Sequence, residues 1–459
     1  MRTARALSRI IQFSVCVTII VTLLACASPK QAFEYESNAS LRQQLAQAPA
    51  YPEISFVVFS DPHIYDSSLG TTGAAFEAYL NKDRKLLRES PEILESAISS
   101  IKNLNSDIVL VAGDLTKDGE KVSHDLSASY LAQLKAAGKK VFVVPGNHDI
   151  LNGHSYKYSG DIIERVPNIT ADQFAQIYAD FGFKDALHRD PNSLSYVAEP
   201  QPGLWLLALD SCRYRENVED KESVTDGKFS GETLAWIEKM LGQAAKENKA
   251  VIVMMHHGIM EHYAGQEKNY GEYIVDNYEE VAKLLANYNA RLVFTGHYHA
   301  QDITEKKYDN GKFIFDIETG SLVTYPCPFR VVTIDKDQVA TIKRESVTSI
   351  ASHPDKFPEY AKQYLQDGIA TIATGVLMGY KIDRPEAEKI AQEIAYGFGA
   401  HYGGDEQLAP GQTMVTETGL SPLAWAVIQY RKDLILGLWK DLPPPDNNLT
   451  INLKDGSWK

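Results

Sequence analysis

Short apolar runs, each closed by a polar cluster, constrain this chain more than any other feature. The run 54–59 leads into Ser60-Asp61-Pro62-His63, the run 108–112 into Gly113-Asp114, and the run 141–144 into Pro145-Gly146-Asn147-His148-Asp149. The run 204–209 leads into Asp210-Ser211, 251–255 into His256-His257-Gly258, and 291–295 into Gly296-His297-Tyr298-His299. These runs are β-branched and do not alternate with polar residues, the pattern of strands covered on both faces. Amphipathic stretches at 91–104, 126–137 and 232–246 lie between several of them. Strand, helix, strand is the α/β pattern. Between 312 and 346 the helices drop out and strands remain at 313–317, 330–334 and 339–342, so the sheet system is mixed, with an antiparallel end.

From about Ser349 the composition changes again. Helical spacing over 358–379, 384–396 and 422–439, closed by Pro443-Pro444-Pro445, predicts a small helical C-terminal domain, 349–459. A chain of 459 residues with 44% hydrophobic content exceeds one ordinary core and divides into a large domain, 53–348, and this extension. The formal net charge of -14 gives no basic footprint, so no polynucleotide partner is expected. Affinity for an anion must be concentrated in a local site.

The N-terminus reads as a targeting segment. Arg2, Arg5 and Arg9 precede an apolar run, 10–25, that is shorter than the roughly 20 residues of a spanning helix. It ends Leu23-Leu24-Ala25-Cys26, which resembles a bacterial lipobox. That resemblance implies a signal peptide over 1–26, lipid on Cys26, and anchoring to the outer face of the bacterial cell membrane. Plain secretion, a periplasmic location and an uncleaved anchor are the alternatives. The polar, proline-broken stretch 27–52 reads as a tether. Export permits a disulfide between Cys212 and Cys327, although nothing in their spacing shows that they meet.

Half of the 12 histidines sit in the strand-end clusters. Strand carboxyl ends are where open α/β sheets build sites. Gly-Asp after a strand is usually a turn, and a lone strand-end histidine is usually capped or exposed. Gly-Asn-His-Asp and Gly-His-x-His are more specific, and five such clusters in one order are hard to explain as turns. In this order they resemble the calcineurin-like metallophosphoesterases, over roughly 54–342. The resemblance implies a four-layer α/β/β/α sandwich of two mixed sheets with the site at one edge. It implies that Asp61, His63 and His299 hold one metal, that Asn147, His256 and His297 hold a second, and that Asp114 bridges both.

The ligand types make sense on their own. Two divalent ions carry +4 and the two aspartates return -2, leaving a centre that still attracts a phosphate anion and a hydroxide. Imidazole with carboxylate and amide oxygen favours transition metals (Mn, Fe or Zn) without choosing a pair. Such ions, about 3.5–4 Å apart, activate a water that would attack phosphorus. In the family motif His148 is not a ligand, and its implied role is leaving-group acid or transition-state stabiliser. Asp149 either orients His148 or caps a helix. His256, directly after its strand, is taken as the ligand, and His257 either lines the substrate side or points away. Asp210 reads as a loop cap.

The motifs Asp-Pro-His, Gly-Asn-His-Asp and His-His with a helical tail look like exported class III cyclic nucleotide phosphodiesterases. That implies a small phosphoester substrate, such as a 3',5'-cyclic nucleotide. Gly258 departs from the proline that many members carry there. An exported phosphomonoesterase or nucleotidase, and a non-catalytic metal- or partner-binding protein, are the rival readings. Tyr156, Tyr158, Tyr263, Tyr270, Tyr273 and Tyr298 crowd the same loops. They stack on a base or, as loop aromatics more often do, pack on one another.

Overall fold

The computed structural model describes residues 31–408, 410–411 and 413–459. The segment 1–30, with the expected signal peptide and Cys26, lies outside the described residues. Contacts divide the chain into two units, Met1–Gln43 and Gln44–Lys459. Within the stretch read as a tether, Glu34–Ser37 and Ala39–Leu45 are helical. Among the described residues no helix is long and apolar enough to cross a membrane.

The strands, in chain order, are β1 (Ile54–Phe59), β2 (Ile108–Val111), β3 (Lys140–Val143), β4 (Tyr156–Ser159), β5 (Ile162–Arg165), β6 (His188–Arg189), β7 (Tyr196–Gln201), β8 (Leu204–Ala208), β9 (Ala250–Met254), β10 (Leu292–Thr295), β11 (Asp302–Lys307), β12 (Phe313–Glu318), β13 (Pro328–Ile334), β14 (Val339–Ser346) and β15 (Asn448–Asn452). One sheet runs β15-β14-β13-β1-β2-β3 and a second runs β11-β12-β10-β9-β8-β7-β6. In the first, β1, β2 and β3 are parallel and the others antiparallel. In the second, β8, β9, β10 and β12 are parallel, with antiparallel strands at both edges. Both sheets are mixed, as expected.

The unalternating runs are the central strands. Every residue of β2, β8, β9 and β10 is buried, because each has a layer on both faces. The two sheets meet in one core, where Phe56 of β1 packs edge-on to Phe294 of β10 at 5.2 Å. Helices Ser90–Lys102 and Lys121–Ala136 pack together, the second also on β3. Helices Gly231–Lys246 and Tyr278–Asn287 pack on β9 and β12. Each turns an apolar stripe inward, as at Ile93, Leu94, Ala97, Ile98 and Ile101.

The C-terminal helices Phe357–Gly379 and Arg384–Gly403 pair along their lengths. The expected helix 422–439 is two, Pro422–Tyr430 and Lys432–Gly437. The extension is not a free-standing appendage: after the prolines, β15 returns to extend the first sheet, burying Leu449 and Ile451 against β14. Cys212 and Cys327, whose pairing the sequence left open, are both free. Cys327 is buried, and the Cys212 thiol donates to Pro145 O at 3.4 Å.

Candidate metal centre

The strand ends of both sheets open at one edge of the sandwich, and the backbone there is bent unusually. Asp61, His63, Asp114, His297 and His299 all have positive φ, between 38° and 79°. Non-glycine residues seldom adopt that region, and such conformations persist where surrounding structure enforces them. The enforcement is visible. Asp61 N donates to Gly113 O at 3.1 Å and His63 N to Asp114 O at 3.0 Å, stitching the ends of β1 and β2. Gly113, at φ +93°, lies so close to the His256 ring that a Cβ would collide with it. A Cβ on Gly296 would strike Ser60 and Asp61. The glycines of Gly-Asp and Gly-His-x-His therefore let the ligand-bearing loops close on each other.

Two groups of side chains result. In the first, His63 Nε2 and His299 Nε2 lie 3.2 Å apart, and Asp61 Oδ1 is 3.7 Å from one and 3.4 Å from the other. In the second, His256 Nε2 lies 3.2 Å from Asn147 Oδ1 and 3.4 Å from Asp114 Oδ2, with His297 completing the group. Asp114 Oδ2 is also 3.6 Å from His63 Nε2, so this carboxylate stands between the two groups. All seven residues expected as ligands are brought together.

Their unpartnered atoms test whether they suit metal ions. Asp61 Oδ1 is buried and has no hydrogen-bond partner, an arrangement that costs free energy unless a cation faces it. The tautomers fit as well. His256 Nδ1 donates to Ala112 O at 2.8 Å, leaving Nε2 as the lone-pair nitrogen. His297 Nε2 donates to Thr225 O at 3.1 Å and Glu272 O at 3.3 Å, leaving Nδ1. Orientation of a ligating imidazole by such an outer bond is the usual pattern. Burial, the largest influence, pulls His63, His297 and His299 below the ordinary imidazole pKa, favouring the neutral form that binds metal. His256 is different: burial pulls it down, but Asp114 lifts it to about 9. The donor set fits two divalent ions.

His148 differs from these histidines. Its side chain is 24% exposed, and its ring meets His63 edge-on at 5.0 Å. Its Nδ1 donates to Asp118 Oδ1 at 2.8 Å, which turns Nε2 outward. Burial lowers the imidazole pKa, but Asp114 and Asp118 more than offset this and hold it above its usual value. Asp118 is held by the buried Lys117, by Tyr79 Oη at 3.2 Å and by Asn152 Nδ2 at 3.5 Å. The partner of His148 is thus Asp118 and not Asp149. Nor is Asp149 a helix cap. Its carboxylate accepts from Gly146 N, Leu115 N, Thr116 N and Thr116 Oγ1, bracing the Asp114 loop against the Asn147 loop. Burial and the Asp114 charge push it up to about 7.

The other residues sort plainly. His257 packs its ring 4.4 Å from that of His297, but both its nitrogens are engaged outside the ligand groups, Nδ1 at Ser211 Oγ (2.7 Å) and Nε2 at Thr225 O (2.8 Å). Asp210 caps its loop by accepting from Leu194 N and Cys212 N. Gly258 N donates to Tyr273 O at 3.1 Å, a bond that proline has no N–H to make. The tyrosines pack on one another: Tyr298 meets Tyr263, Tyr270, Tyr273 and Tyr402 at 4.9–6.2 Å. Tyr158 packs with Tyr65, Phe76 and Tyr79.

The clusters face a cleft of about 350 Å³ whose lining includes Asp114, Asn147, His148, His297 and His299. The lining also includes Lys82, Arg84 and Lys85, which sequence reasoning missed. The run Lys82-Asp83-Arg84-Lys85 follows no strand, and only its basic charge hinted at a site for an anion.

Residues 54–301 match the calcineurin-like phosphoesterase family. No curated protein matches the chain. Among solved structures, a dimetal phosphatase from Danio rerio aligns with TM-score 0.45 and 17% identity, over 64% of this chain and 97% of that one. A purple acid phosphatase from yellow lupin seeds aligns with TM-score 0.40 and 13% identity, over 68% and 53%. PhoD aligns with TM-score 0.40 and 12% identity, over 68% and 69%.

Proposed function

The chain belongs to the calcineurin-like phosphoesterase family, and on that premise we propose that it is a phosphodiesterase requiring two divalent metal ions. Asp61, His63 and His299 would hold one ion, Asn147, His256 and His297 the other, and Asp114 both. The observation that carries this reading is the donor-free Asp61 carboxylate oxygen, buried beside two imidazole nitrogens only 3.2 Å apart. Protein groups alone do not satisfy such a cluster. When bound, the ions supply Lewis acidity toward the phosphate and acidify a water at neutral pH. Mn, Fe and Zn all suit the donors.

The chain's own residues do the rest. Asp61 and Asp114 leave the loaded centre near +2, so it attracts an anionic ester. Arg84 and Lys85, in the lining of the same cleft, bind phosphate oxygens. His148 Nε2 carries a proton toward the leaving oxygen, while Asp118 fixes the tautomer and steadies the imidazolium. A poor leaving group such as an alkoxide depends on that proton.

The test is turnover by metal-depleted protein reloaded with Mn, Fe or Zn. Bis-p-nitrophenyl phosphate should be hydrolysed faster than p-nitrophenyl phosphate, and cyclic AMP tests the nucleotide reading. Faster monoester hydrolysis would make the protein a monoesterase. No turnover with any ion would favour a binding role. We also propose export with lipid on Cys26. Membrane fractionation of Cys26→Ser tests this, and a processed variant that stays membrane-bound would refute it.

A further inference from the structure

Beside the catalytic cleft lies a second, larger cavity of about 470 Å³, within the range of small-molecule sites. It is roofed by the C-terminal helices, through Ile372, Ala373 and Val376 of Phe357–Gly379, Ile394 and Phe398 of Arg384–Gly403, and Val427 of Pro422–Tyr430. Its floor is Tyr270, Tyr273 and Tyr298, from the loops after the ligand-bearing strands. The two cavities share Arg84 and Tyr273 in their linings and so adjoin there. Tyr273 in turn packs on the His297 ring at 4.7 Å.

The two halves of this space differ in chemistry. The cleft is lined by ligand groups and by Lys82, Arg84 and Lys85. The adjoining cavity has only Arg84, Asn269, Arg431 and tyrosine hydroxyls as polar lining, and the rest is aliphatic or aromatic. Some of these are engaged: Arg84 Nε donates to Tyr402 Oη at 2.7 Å and Arg431 Nη2 to Tyr380 Oη at 2.9 Å, while the Tyr298 hydroxyl on the floor has no partner. A nucleobase brings several donors and acceptors that would be buried there without partners, at a cost. A hydrocarbon chain brings none. The wall also continues to the surface. Val376 lines the cavity and is 51% exposed, and Leu423, Trp425 and Tyr430 stand exposed on the neighbouring helix.

We infer that the substrate is an amphiphilic phosphodiester. Its phosphate would sit in the metal cleft against Arg84 and Lys85, and the hydrocarbon chain of one of its alcohols in the cavity beneath the C-terminal helices. This assigns the helical extension a role in substrate choice, and it rests on the reading of the cleft as a phosphodiesterase site.

The experiment is a series of ethyl, octyl and hexadecyl p-nitrophenyl phosphates, each below its micelle threshold, with the metal-loaded enzyme. From ethyl to octyl, kcat/KM should climb roughly tenfold or more, because burying methylenes is favourable. Ala373→Trp, which fills the cavity, should flatten the series. Val376→Arg, at the half-exposed mouth, tests the same point should the first variant fail to fold. Hydrolysis of the ethyl ester with no gain along the series would overturn the inference while leaving the phosphodiesterase reading intact. A gain that survives both variants would place the chain elsewhere and overturn it too, as would adenosine 3',5'-cyclic phosphate outrunning the octyl ester. Failure to hydrolyse even the ethyl ester would strike the phosphodiesterase reading itself, and the inference with it.

Discussion

Two of the buried groupings of histidine and carboxylate among the described residues differ in how their atoms are paired. At the strand ends, the Nε2 atoms of His63 and His299 lie 3.2 Å apart, and the buried Asp61 Oδ1 beside them has no hydrogen-bond partner. In the second cluster, His262 Nδ1 meets Asp302 Oδ1 at 2.9 Å and Nε2 lies 3.3 Å from Asp316 Oδ2, with Glu318 Oε2 at 3.7 Å. There each imidazole nitrogen faces a carboxylate. Arg330, fully buried, ties the same region together through Glu318 O, Asp302 O and Asp446 O. The titration differs too, although at the strand ends Asp114 overcomes burial to lift His256 to about 9. Burial, the largest influence, leaves His63 and His297 well below the ordinary value, whereas Asp316 and Asp302 overcome burial to hold His262 well above it. A count of histidines and acids cannot separate a metal centre from a buried ion-pair network. Which atoms face each other can.

Five variants probe that contrast. The largest effect is expected from Asp114→Ala, which removes the carboxylate between the two groups. Metal ions supply several kcal/mol of transition-state stabilisation, so turnover should fall by roughly a thousandfold or more, with metal content reduced in a chain that still folds. Retention of two full equivalents would sink the shared-ligand assignment.

His148→Ala should keep both ions and lose on the order of 10²–10⁴-fold on an ester with an alkoxide leaving group. The loss should be smaller with nitrophenolate, which needs no proton. Equal losses on both would favour phosphate positioning over leaving-group protonation. Asp118→Asn should cost about 10–100-fold and, by removing a charge that raises the His148 pKa, shift the alkaline limb of the pH profile to lower pH, a readout that mere misfolding would not produce.

His262→Gln carries the comparison to the other cluster. Breaking one partner of a buried ion pair typically costs about 3–5 kcal/mol, so the melting temperature should drop while both metals and turnover on a short ester remain. Metal loss here would erase the distinction between the clusters. The pH dependence has a definite sign. His262 is raised above its unfolded value of about 6.5, so its contribution is fully present below that pH and disappears as pH climbs through the folded value. The stability gap between wild type and variant should hold from mildly acidic to neutral pH and narrow in alkali.

The smallest effect is expected from His257→Gln. This residue adjoins the metal ligands in sequence, yet both its nitrogens are engaged elsewhere. Both ions should be retained and turnover should fall by no more than about tenfold. Loss of the second ion, by elemental analysis, would make His257 a ligand.

Much of the fold and most of the metal centre were legible in the sequence, because both are written in local pattern. Central strands announce themselves by unbroken β-branched runs, and a ligand placed just after such a run must emerge at a sheet edge. The edge strands were harder. β11 begins at Asp302 and carries Glu305, Lys306 and Lys307, while β15 is a five-residue strand following a run of prolines. Their pairing depends on neighbours distant in the chain. The His148 partner was missed for a similar reason. Asp118 sits four residues past Asp114, in a loop whose path only packing decides, while Asp149 was adjacent and therefore tempting.

The residue types, their order and the strand ends that carry them were determined by the sequence alone, since side-chain chemistry and strand periodicity are local properties. Which nitrogen of each imidazole is free was decided by the tertiary structure. So were the pairing of His148 with Asp118, the ion pairs of His262, and the apolar chamber that shares Arg84 and Tyr273 with the metal cleft. Those outcomes depend on acceptors such as Ala112 O, 144 residues from His256, and on loops forced to positive φ by glycine-permitted close packing. No periodicity in a sequence encodes distances of that kind.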